Sequence, residues 1–151
     1  MFLHPRCPCS RASLAELERL QTHLEGRCQI WVIHVCPAGT DAAWDSTPIV
    51  RRAAALPGAR IVRDQASRLA ELFGARTSGE CFLYDPLGRL AFHGGITLAR
   101  GHEGDNPGSQ AIVAFVAGKR PRDSTPAIGP VFGCPLVNPK LTRAALQEAS
   151  R

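Results

Sequence analysis

Read for its apolar and polar positions, the chain opens with a short apolar piece, residues 1–4, and then an amphipathic one. Leu14, Leu17, Gln21 and Leu24 share one face of residues 12–25, which predicts a helix. Ser10 or Ser13 can cap it, Ser13 and Glu16 stand at capping-box spacing, and Gly26 supplies the stop. Residues 29–35 are a near-continuous apolar run between breakers, the pattern of a buried parallel strand. Cys36-Pro37 ends it and 38–46 is a loop. Ser46 or Thr47 caps a second helix with Pro48 in its first turn, running to about Leu56 before Pro57-Gly58. A short strand at 59–63 follows. Asp64 caps a third helix with Leu69, Leu72 and Phe73 on one face and Gly74 at its end.

After the loop Thr77-Ser78-Gly79, strands at 80–84 and 89–93 flank Asp85-Pro86-Leu87-Gly88, a hairpin signature. Gly94-Gly95 and a polar loop, 96–105, lead to Asn106-Pro107, which opens a fourth helix carrying Ile112, Phe115 and Val116 up to Gly118. The order is (β)-α-β-α-β-α-β-β-α. Early crossovers require parallel pairing and the closing hairpin an antiparallel edge, so the expectation is an α/β fold, a three-layer domain with a mixed sheet. Residues 1–4 read as the end of a strand that usually needs more residues, so the first strand is expected to be truncated and a segment to precede Met1.

The 151 residues, 44% apolar and 21% charged, suit one domain with its own core and are short for two. The expected division is a domain at 1–118 and a Pro/Gly-rich C-terminal tail at 119–151, with a loosely attached short helix at 140–149. The net charge of +5 comes from scattered arginines with no basic stripe interleaved with aromatics. That pattern argues against nucleic acid as a partner. No apolar run of membrane-spanning length stands in the chain, so a membrane connection is expected only through an anchor not present in it.

Six cysteines lack paired zinc-ribbon spacing and fit one redox site better than a disulfide framework. Cys7-Pro8-Cys9 sits where a coil becomes a helix, between Arg6 and Arg11. A helix N-terminus, its free N–H groups and nearby guanidinium charge all favour thiolate; the pKa of thiols so placed runs from about 3.5 to 7.5, against about 8.5 for a free one. Cys7 is the expected nucleophile. The same pair also reads as a soft-metal clip or an inert turn. Cys9 or Cys134, in Phe132-Gly133-Cys134-Pro135 of a mobile-looking tail, are candidates to resolve an oxidised Cys7. Cys36, at the end of the neighbouring strand, is a further candidate thiol, and Cys28 and Cys81 read as small core residues. His93 lies at the hairpin end that should adjoin Ser78-Gly79, and His102, Glu103 and Asp105 open from the same edge. Either histidine reads as a proton donor, a soft-metal ligand or an ordinary strand-end or loop residue. His4 precedes the turn without a fixed role.

Residues 2–10 and 61–95, the latter with Asp85-Pro86-Leu87-Gly88, carry a resemblance to the thioredoxin-like superfamily over about residues 2–118. The likeness is nearest to its membrane-anchored TlpA/ResA-type and redoxin-like branch and to RedB-type proteins. It implies a thioredoxin-like three-layer sandwich and a thiol–disulfide oxidoreductase or thiol peroxidase-like activity without an organic cofactor. The partner it implies is a thiol or disulfide protein or a small oxidant. It places Cys7 as the attacking cysteine and Ser10 where the resolving one stands, able to donate a hydrogen bond to the thiolate. It also places Gly79 where the family has a cis-proline, which loosens a substrate groove formed with Arg6, Ser78 and His93. Relatives are often tethered on the oxidising side of a membrane, so a periplasmic or membrane-anchored location follows from the resemblance. The chain also resembles thioredoxin-fold copper-handling proteins that serve respiratory oxidases, which implies Cu(I) on Cys7, Cys9 and His93. A redox-inert binding domain on the same scaffold is a third expectation.

Overall fold

The computed structural model describes residues 1–41, 43–119 and 125–137. The elements run β1 (Phe2–Leu3), α1 (Ser10–Leu24), β2 (Trp31–Cys36), α2 (Pro48–Ala54), β3 (Arg60–Gln65), α3 (Arg68–Phe73), β4 (Glu80–Tyr84), β5 (Leu90–Gly95), α4 (Pro107–Val116) and β6 (Ala127–Ile128). The expected α/β order is present, with β6 added. Residues 140–149, where a last helix was expected, lie outside the described residues.

β1, β2 and β3 form a parallel sheet in the order β1-β2-β3, and β4, β5 and β6 a mixed one in the order β4-β5-β6. The two meet edge to edge beside β1, where the Gly79 N–H donates to the Phe2 carbonyl at 2.8 Å and the His4 N–H to the Ser78 hydroxyl at 2.9 Å. Pleating sends adjacent residues to opposite faces. Leu3 and Val32 pack with Leu14, Leu17, Ile49, Phe92 and Ile112, under α1, α2 and α4. Phe2, Ile33 and Val35 pack on the other side with Ala70 of α3, Ala75 and Leu136. Three layers result. No helix among the described residues is long and apolar enough to cross a membrane.

Two caps form as the sequence dictates. The Thr47 hydroxyl accepts from Val50 N–H ahead of Pro48, and the Asn106 side chain accepts from Ser109 N–H ahead of Pro107. The Asp64 carboxylate receives the N–H groups of Leu69 and Ala70, and Asp85 those of Leu87 and Arg89 in the hairpin. α1 departs from expectation. It starts at Ser10 with Cys9 as N-cap and no side-chain cap, because Ser10 and Ser13 are turned inward and buried. Glu16 is drawn away to Gly104 N–H and Arg19, so the capping box does not form. Leu72 also departs: at 78% exposed it lies off the core face that Leu69 and Ala70 share.

The described part of the tail is built into the fold. β6 pairs in parallel with β5, Gly129 N–H donates to His93 O, and Gly95 N–H donates to Pro130 O. Gly94 and Gly95 permit that approach. A Cβ on Gly94 would lie 2.8 Å from the Gly129 carbonyl oxygen, and one on Gly95 2.9 Å from that of Pro130.

Candidate functional site

The turn after β1 is held by its own backbone. Cys7 N–H donates to His4 O, Ser10 N–H to Cys7 O, and Ala12 N–H to Cys9 O. The Ser10 hydroxyl donates to His4 O at 3.1 Å and shares a 2.7 Å hydrogen bond with the Ser78 hydroxyl. Ser10 and Ser78 are therefore ties between the cysteine turn and the loop before β4. The hydroxyl of Ser10 is spent on that tie; its N–H group is what faces the sulfur.

Residues 129–136 cross this turn as a strap. Ser78 N–H donates to Cys134 O at 2.8 Å, Leu136 N–H donates to Arg76 O at 2.9 Å, and Thr77 and Pro135 form an antiparallel bridge. Gly133 makes the crossing possible, since a Cβ there would collide with Ser78 O. Leu136 is wholly buried beside Phe2, Ile33 and Val35. The strap delivers Cys134 to the turn. The sulfurs of Cys7, Cys9 and Cys134 all lie within 4.8 Å of one another, all free of disulfides.

Cys7 is only 1% exposed, while Cys9 and Cys134 are half-buried. Burial alone would push the Cys7 thiol up. The Cys134 thiol donating to it outweighs that, together with the N–H groups of Cys134, Cys9 and Ser10, and the Cys7 pKa falls below the ordinary thiol value. Cys134 moves the other way, to about 12, first through burial and then because it is the donor to Cys7. Of the two thiols Cys7 is therefore the one that ionises first, with Cys134 as the donor that holds its proton longer. Burial raises Cys28, and raises Cys81 to about 11, as expected for core thiols.

Several expected participants are placed elsewhere. Arg6 donates to the carbonyls of Trp44 and Ala43 and stacks 4.6 Å from the Trp44 ring centroid, so it props the loop before α2. His93 lies opposite Phe82, not Gly79; its ring stacks on Phe82 at 4.3 Å and Nε2 is 2.6 Å from Glu80 Oε1. The cluster of potential metal-ligating groups among the described residues has Cys134 where His93 was expected. Gly79 packs closely against α1. At φ +93° its Cα hydrogen faces Ser13, whose hydroxyl would stand 2.6 Å from an added Cβ. Cys36 is bonded to the Thr40 hydroxyl at 3.2 Å and stands outside the cluster. Glu103 pairs with Arg19 of α1 and His102 with Arg100 O. Burial lowers His4, which accepts from Arg6 N–H through Nδ1.

Sequence reasoning missed Glu80. Its carboxylate accepts from Arg76 and Thr77 N–H as well as meeting His93, and so braces the loop on which the strap lies. A glutamate at the head of an apolar strand is the signal that was available, since a buried carboxylate there needs several partners.

No family model and no curated protein matches the chain. Two solved structures share its fold. A hypothetical protein from Sinorhizobium meliloti superposes with a TM-score of 0.62 at 24% identity, over 89% of this chain and 75% of its own. A conserved protein of uncharacterized function from Geobacillus kaustophilus gives 0.69 at 19% identity, over 92% and 76%. These likenesses bear on the fold.

Proposed function

We propose that the protein is a thiol–disulfide oxidoreductase or thiol peroxidase-like enzyme on a thioredoxin-like scaffold, with Cys7 as nucleophile and Cys134 as resolving thiol. The observation that carries this is the meeting of the Cys7, Cys9 and Cys134 sulfurs within 4.8 Å, with Cys134 set as donor to a buried Cys7 whose pKa is lowered. The turn between β1 and α1, and the N–H groups aimed at Cys7, support it.

With a disulfide substrate, the Cys7 thiolate attacks one sulfur and expels the other as thiolate, which takes a proton from solvent. The mixed disulfide removes the charge on Cys7. That removes the part of the Cys134 shift that comes from Cys7, and movement of Cys134 toward solvent removes the part that comes from burial; Cys134 then loses its proton and attacks Cys7 Sγ. The second substrate thiol leaves, a Cys7–Cys134 disulfide remains, and the substrate has gained two electrons. With a peroxide, the Cys7 thiolate takes the terminal oxygen to form a sulfenic acid as the O–O bond breaks, the other oxygen leaves with a proton from solvent as water or an alcohol, and Cys134 condenses with the sulfenic acid to release water. The partner is a thiol or disulfide protein or a small oxidant. Cys9, at a one-residue spacing, would close a small strained ring with Cys7 and is the poorer resolver.

A second reading rests on the same three sulfurs. Their mutual separation suits a soft ion such as Cu(I) in an all-thiolate site of Cys7, Cys9 and Cys134, with Cys134 in the role expected for His93. Peroxide-consumption and disulfide-reductase assays on wild type and Cys7→Ser, beside a Cu(I) titration, separate the two. Turnover lost in Cys7→Ser supports the first reading. Stoichiometric tight Cu(I) without turnover overturns it in favour of the second.

A further inference from the structure

Cys7 has almost no exposed surface while the strap is in place. Cys134 of the strap lies against that sulfur, so lifting the strap opens an approach to it. What the strap shows at that place is a binding rule written in this chain's own residues. Its backbone bonds antiparallel to residues 76–78 through Ser78 N–H and Arg76 O. The residue before its cysteine has no room for a side chain, because Ser78 O stands where a Cβ would go. Two residues beyond the cysteine, Leu136 fills an apolar socket of Phe2, Ile33, Val35, Ala70 and Ala75. Those three features are independent of one another, and each constrains a different position of the bound segment.

We infer that the edge at residues 76–78, with Cys7 behind it and the Leu136 socket beside it, is a docking strip for an extended, cysteine-bearing polypeptide with a small residue before the cysteine and a large apolar one two residues after it. The strap is its tethered occupant. The inference rests on the oxidoreductase reading and gives that activity a substrate class. It also supplies a turnover step: the substrate displaces the strap to reach Cys7, and the strap, on returning, brings Cys134 to the mixed disulfide and takes back the strip. Main-chain pairing supplies affinity in such a mode, and the side-chain positions supply selectivity. A tethered segment holds its site at high effective concentration, so only a matching sequence competes.

The test uses three synthetic peptides with the sequence of residues 131–137 and the cysteine activated as a thiopyridyl mixed disulfide: the native one, Gly133→Val and Leu136→Asp. Each is added to full-length Cys134→Ser, which cannot resolve the product. The Cys7 thiolate attacks the peptide sulfur, Cys7–S–S–peptide forms, and thiopyridone is released and timed, with mass mapping to locate the adduct. The strap slows all three peptides alike, so the ratio between them reads the docking strip. The native peptide should react about tenfold to a hundredfold faster than either altered one, the range expected for one well-buried leucine. Equal rates for the three peptides overturn the inference. The same series on Gly133→Val/Cys134→Ser, where the strap is forced off Ser78, should give the same ranking at higher absolute rates. The small disulfide dithiodipyridine is the control for the chemistry. If it modifies Cys7 while the peptides do not differ, the docking rule fails and the thiol assignment stands. If Cys7 stays inert to it in both chains, the oxidoreductase reading fails, and this inference with it.

Discussion

Replacing Leu136 by alanine should turn Cys7 from a hidden thiol into a reactive one. Leu136 has no exposed surface and packs against Phe2, Ile33 and Val35 on the far side of the sheet from α1. Truncating such a leucine costs about 2–5 kcal/mol in filled cores. Around Leu136 the strap is also held, among the described residues, by the backbone bonds to Ser78 and Arg76, each worth about 0.5–1.5 kcal/mol net, and by the contact of Cys134 with Cys7. Most of the loss should therefore fall on strap opening, and at about 1.4 kcal/mol per tenfold even the low end raises the open population roughly thirtyfold. Alkylation by iodoacetamide at neutral pH follows the open population when reclosing is fast. Site-resolved mass spectrometry should show Cys7 modified about thirtyfold faster or more, with Cys81, buried at the head of β4, unchanged as internal reference. A Cys7 rate within about twofold of wild type, despite a lowered Tm, would refute the claim that the strap controls access. A parallel rise at Cys81 would refute it too, because the whole domain would then have loosened.

In the Leu136→Ala background the alkylation rate of Cys7 should rise with pH through a midpoint below that of an unstructured peptide thiol titrated beside it. Cys134→Ala should move that midpoint upward, because the thiol hydrogen bond is the largest of the effects that lower Cys7. Alkali should destabilise the fold in a way that depends on Cys134. Its folded pKa is raised to about 12, so the stability tied to its protonated form is full below the ordinary thiol range and is lost as pH climbs toward 12. Chemical denaturation between those limits should show a decline that Cys134→Ala reduces. Gly79→Ala should cost about 1–3 kcal/mol and lower Tm, since φ is +93° and the new Cβ meets the Ser13 hydroxyl; an unchanged Tm would show that the loop relaxes without strain.

The legible parts of the fold were those whose cause is local. Thr47-Pro48 and Asn106-Pro107 cap helices in the structure because capping is settled within four residues. The apolar run of β2 and the Asp85 turn are local in the same sense. Ser10 and Ser13 look like caps for the same reason, yet Ser78 and Gly79, far along the chain, claim them instead. β6 has no pattern because two residues, Ala127 and Ile128, cannot display a period, and their pairing depends on glycines in β5. Within the site, Cys7 and Cys9 were visible as neighbours in sequence. Cys134 could be weighed only as a candidate, since nothing near it records that Gly133 has a contact waiting at Ser78 and Leu136 one at Phe2. His93 was correctly assigned to the hairpin, but its partner Glu80 decides where the ring goes.

The separation of Cys7 and Cys134 along the sequence bears on which way electrons run. Joining them closes nearly the whole described chain into a ring, and in the chain-entropy treatment a loop of roughly a hundred residues stabilises the folded form by about 5 kcal/mol. For a two-electron couple that equals a potential lower by about 100 mV. That figure is measured against the same two cysteines in the unfolded chain, so under the proposed chemistry folding itself inclines the pair toward giving electrons up.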